Sequence, residues 1–72
     1  MSDRDQLAAA VKEALQRGGA RRIAVHNQAQ VELGKGAATR LAGQLGGKAE
    51  DLTFELIPEK EWEQYPVGAI LV

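Results

Sequence analysis

The chain has no cysteine, one histidine, two prolines and only three aromatic residues, Phe54, Trp62 and Tyr65, among its 72 residues. Without cysteine it has no disulfide, no thiolate metal site and no thiol nucleophile. Ser2, the one serine, stands at the terminus, so His26 has no obvious hydroxyl to activate. No run approaches the roughly 20 apolar residues that a membrane span needs. The opening "MSDRDQLAAA" is acidic and polar, unlike a secretory leader, and a cytoplasmic location is the expectation. No metal, cofactor or catalytic residue is expected.

Large apolar side chains are also scarce, because much of the apolar fraction is alanine. One small domain spanning residues 1–72 has a marginal core, and with disulfides excluded a second subunit is the expected source of further burial. A homodimer is therefore expected, with a protein partner as a further possibility and no membrane.

Net charge is −1, but it is unevenly spread. Residues 1–48 carry eight Lys/Arg against four acids, and residues 49–72 carry Lys60 against six acids. The two halves can complement each other within one fold or between subunits. The basic half raises nucleic-acid binding as an alternative that the near-neutral total does not favour.

Ser2 or Asp3 is a good N-cap, and Leu7, Ala8, Val11, Ala14 and Leu15 recur at helical spacing. A helix over Asp3–Arg17 follows, stopped by Gly18-Gly19. "RRIAVHN" reads as a strand from Arg22 to His26. "QVEL" alternates apolar and polar residues and reads as a second strand, Val31–Leu33, joined to the first by a hairpin through "HNQAQ", against a competing reading that runs helix 2 back into Val31. Helix 2 would then begin after Gly34 and Gly36, both costly inside a helix, with Ala37, Ala38, Leu41, Ala42 and Leu45 as its apolar stripe. "DLTFELIP" alternates cleanly as a strand, "PEKEWEQYP" suits one or two helical turns, and "VGAILV" is an apolar terminal strand. The expected architecture is an α+β, two-layer sandwich: a small mixed sheet of three or four strands with two main helices on one face. The order is α-β-(β)-α-β-(short α)-β.

Three groups of residues are candidates for function. Gly34, Lys35, Gly36, Thr39 and Arg40 resemble a glycine-loosened helix start able to hold an anion, as on a phosphate-bearing small molecule. Their spacing fits neither a P-loop nor a dinucleotide fingerprint. Arg17, Arg21, Arg22 and Lys48 would form the basic patch for a nucleic-acid backbone, although stacking aromatics are missing from that half. Trp62, Tyr65, Ile70 and Val72 are the interface candidates, since the terminal strand is apolar on both sides and needs cover. A non-catalytic, self-associating interaction module is the expectation that these features carry.

Overall fold

A computed structural model describes residues 2–71. Helix α1 spans Asp3–Arg17, strand β1 Arg21–Val25, helix α2 Gln28–Leu45, strand β2 Leu52–Leu56 and strand β3 Ile70–Leu71. Short 3-10 turns at Ala49–Asp51 and Glu59–Glu61 complete it. The strand order is β2-β1-β3, with β2 parallel and β3 antiparallel to β1. This is the small mixed sheet and two-helix layer of an α+β fold.

Local chemistry sets each boundary. The Ser2 side chain accepts from the Asp5 N–H, and Asp3 and Asp5 sit in the first turn, where the helix dipole favours acids. Gly18 ends α1 and Gly46 ends α2 with φ of 75° and 79°, values that disfavour a side chain. In each case the N–H of the glycine closes the last turn on a carbonyl four residues back.

Residues 26–36 differ from the sequence expectation. There is no Val31–Leu33 strand and no hairpin, because α2 runs unbroken from Gln28 through Gly34 and Gly36. Asn27 is its N-cap, the side chain accepting from Gln30 N–H at 2.9 Å. Four residues on from His26, the buried Gln30 accepts from the His26 N–H and donates to Asp3 Oδ2 at 2.7 Å. One carboxamide thus ties the end of β1, the first turn of α2 and the start of α1. The glycine that argued against a helix has a packing role. A Cβ at Gly34 would collide with the Phe54 ring, so its absence lets β2 lie close under α2. That gain in burial outweighs the roughly 1 kcal/mol that glycine costs a helix.

Ile23 and Val25 of β1 meet Leu7, Ala10, Val11 and Ala14 of α1 and Val31, Ala37 and Ala38 of α2, with Leu52 closing the cluster. Both helices therefore cover the same sheet face. Leu7, Val11, Ile23 and Val25 are the large side chains fully removed from water, each contributing roughly 1.5–3 kcal/mol. The rest of the cluster is mostly alanine, which lets the helices approach but buries little. Leu45, placed on the apolar stripe by its spacing, is instead 43% exposed at the end of α2.

Candidate interaction surfaces

In parallel β-α-β units the crevice beyond the carboxyl ends of the strands is the common ligand position. Here the 58–66 segment covers the end of β1. After β2, Pro58 starts a 3-10 turn that continues as turns through Gln64 and carries Trp62 back over the end of β1. Trp62 stacks on His26 with ring centroids 4.6 Å apart and planes 7° from parallel. The indole N–H donates to the Ile57 carbonyl at 2.8 Å. His26 Nε2 lies 2.8 Å from the Tyr65 carbonyl oxygen, which makes that nitrogen the donor. The imidazole is thereby held on one face and at one nitrogen, as a clasp between β1 and the 58–66 segment.

The anion candidates do not form a helix start. Gly34, Lys35, Gly36, Thr39 and Arg40 lie in the interior of α2, where backbone N–H groups point to carbonyls four residues earlier and cannot converge on a ligand. The Thr39 hydroxyl donates back to the Lys35 carbonyl at 3.0 Å. The glycines sit on different sides of the helix, Gly34 buried under Phe54 and Gly36 exposed. Among the described residues there is also no group of His, Cys, Asp or Glu suited to a metal ion, and no helix long and apolar enough to cross a membrane.

The basic candidates are dispersed by strand geometry. Arg21 and Arg22 are adjacent in β1 and so project from opposite faces. Arg21 shares the helix-covered face with Ile23, is half-buried, and its Nε is buried without a hydrogen-bond partner. Arg22 lies on the other face, 3.4 Å from Glu55 Oε1. Arg17 pairs with Glu13 one turn back along α1 at 3.1 Å, and Lys48 is exposed beyond the end of α2. The ion pair between the neighbouring strands β1 and β2 is Arg22–Glu55.

The described interface candidates do not share one surface: Tyr65 and Ile70 border a groove of about 680 Å³ between the strands and the 58–66 segment, with Arg22, Glu55, Leu56 and Leu71 also in its lining, whereas Trp62 lies over His26 at the end of β1. Trp62 and Tyr65 each remain 37% exposed. Ile70 pairs with Ile23 and packs partly against the core. Val72 lies outside the described residues.

Reading the sequence missed two features. The Gln30 junction was signalled by Asn27 followed three residues later by Gln30, the spacing of a capping box. The second is the outer edge of β2. Among the described residues β2 has β1 as its sole strand neighbour, and Leu56, its last residue, is 52% exposed. No pattern in the sequence says which strand will be at an edge, so this surface required the topology. No protein-family model matches the chain, nor does any curated protein or solved structure.

Proposed function

We propose that this chain is a non-catalytic, self-associating interaction module. The observation that carries this reading is Leu56, more than half exposed on a strand that has no second strand neighbour among the described residues. An edge strand with apolar side chains and open backbone groups is a ready template for another strand. The core supplies the motive, since only four large side chains among the described residues are fully buried and much of the remaining core is alanine. The clasp supports the non-catalytic part: the single histidine is committed to Trp62 and to the Tyr65 carbonyl.

Light scattering coupled to size exclusion, over a series of micromolar concentrations, tests self-association directly. The expected result is a mass twice that of the 7.7 kDa chain. A mass of one chain throughout the series overturns the reading.

A further inference from the structure

The geometry points to a specific partner and register: β2 pairs antiparallel with β2 of a second copy about a two-fold axis at Phe54, extending the sheet to six strands. This rests on the self-association reading above and goes further by fixing which residues meet.

Hydrogen-bond parity selects the register. Ile57 N–H donates to the Val25 carbonyl, so within β2 the backbone groups of Thr53 and Glu55 also face β1. Those of Leu52, Phe54 and Leu56 face outward. The Leu52 N–H is already bonded to the Ala49 carbonyl in the preceding 3-10 turn. What remains open is the Phe54 and Leu56 N–H groups and the Leu52, Phe54 and Leu56 carbonyls. With the two-fold at Phe54, Phe54 N–H meets the Phe54 carbonyl of the second copy, and Leu56 N–H meets its Leu52 carbonyl. Each bond occurs twice by symmetry, giving four across the axis, and the Leu56 carbonyl, opposite the committed Leu52 N–H, is left out of the ladder.

Side chains agree with that register. On the helix-covered face Phe54 lies opposite Phe54 and Leu56 opposite Leu52, so apolar meets apolar. On the other face Thr53 lies opposite Glu55, which avoids placing like charges together. Beside the β2 edge is a recess of about 300 Å³, walled on one side by Ala38, Ala49, Leu52 and Phe54 and rimmed by Lys35, Thr39 and Glu50. Because Leu52 borders that recess, the register delivers the exposed Leu56 of the second copy to it. An exposed leucine and the apolar side of that recess are thus related by the same two-fold that matches the hydrogen bonds. Backbone pairing is open to any strand, but the apolar matching and the placing of Leu56 beside the recess depend on side chains, and β2 meets both with itself.

Thiol cross-linking tests this, because the chain has no cysteine of its own. In the proposed pairing Thr53 and Glu55 of the second copy form a non-hydrogen-bonded pair, with Cα atoms about 4.5 Å apart, within disulfide reach. Thr53 and Thr53 are diagonal, at roughly 7–8 Å. Thr53→Cys and Glu55→Cys chains are oxidised separately and as a mixture, with mass measured on the same samples under reducing conditions. The expected result is dimeric mass in every reduced sample and a covalent dimer formed mainly in the mixture. Thr53→Glu, which faces Glu55 across the axis, should weaken association by about tenfold relative to Thr53→Lys. Dimeric mass with no preference for the mixture overturns β2 pairing while leaving self-association standing. A single-chain mass for the unsubstituted protein overturns both.

Discussion

Trp62 and His26 lie face to face, 4.6 Å between ring centroids, although 36 positions separate them in the chain. The stack fixes where the 58–66 segment crosses the sheet, and the indole and imidazole nitrogens each anchor to a backbone carbonyl beside it. Trp62→Ala should therefore cost about 2 kcal/mol, below the usual range for a fully buried tryptophan because part of the ring stays in water. Trp62→Phe keeps a ring over His26 and loses the bond to the Ile57 carbonyl, at about 1 kcal/mol. Urea denaturation followed by circular dichroism measures both. Equal stability of Trp62→Ala and the unsubstituted chain would remove the clasp from the account.

Gln30 is the one buried polar side chain among the described residues, and it holds two elements at once. Gln30→Ala should destabilise the domain by about 2 kcal/mol, since it leaves the His26 N–H without its acceptor and opens a gap at the α1–α2 junction. Gln30→Glu is the sharper probe. It retains the acceptor for His26 but replaces the donor to Asp3 with a second carboxylate. At neutral pH it should be less stable than the unsubstituted chain, and Asp3→Asn in the same background should recover part of the loss. Absence of that recovery in denaturant midpoints would show that the two side chains are not coupled.

The glycines of α2 give opposite outcomes for the same chemical change. Gly36→Ala and Gly43→Ala introduce a methyl group into open space and should stabilise by about 0.5–1 kcal/mol through helix propensity. Gly34→Ala drives a Cβ into the Phe54 ring and should destabilise, because β2 must move away from α2. Thermal midpoints of the three single variants decide the matter, and a stabilising Gly34→Ala would contradict the close approach described above.

These glycines also mark where the sequence was legible and where it was not. Helix α1, strand β2 and the two glycine stops follow from spacing and caps that are local. The segment from Asn27 to Gly36 does not, because propensity disfavours Gly34 in a helix and only contact with Phe54, 20 residues later, reverses the balance. Val31 and Leu33 alternate like strand residues, yet in α2 Val31 is buried while Leu33 is 40% exposed. The helix start expected at Gly34 and Gly36 was misplaced for the same reason, since α2 begins at Gln28. Arg21 and Arg22 were legible as charge but not as separate faces, and the open edge of β2 depended on strand order.

The separation of the basic side chains carries its own prediction. Binding a nucleic-acid backbone takes several cations presented together. Arg17 and Arg22 are partnered with Glu13 and Glu55, and Arg21 lies on the opposite sheet face from Arg22. Gel shifts at low salt with duplex DNA and with structured RNA should show no retardation at micromolar protein. Retardation that is lost on Arg22→Ala would restore the basic patch as a binding surface.

Arg21 presents the clearest stability anomaly. Its Nε is buried on the helix-covered side of β1 without a hydrogen-bond partner, and a donor left in that state costs about 1–3 kcal/mol. Methionine has a flexible stem that can cover much of the same apolar surface and carries no donor to satisfy. Arg21→Met should therefore be at least as stable as the unsubstituted chain, with a gain of about 1 kcal/mol expected. Arg21→Ala should lose stability instead, because it also removes the packing of the stem beside Leu52, its partner residue in β2. Denaturant midpoints of the two variants separate the contributions: a loss in both, of equal size, would mean that the guanidinium itself stabilises the strand.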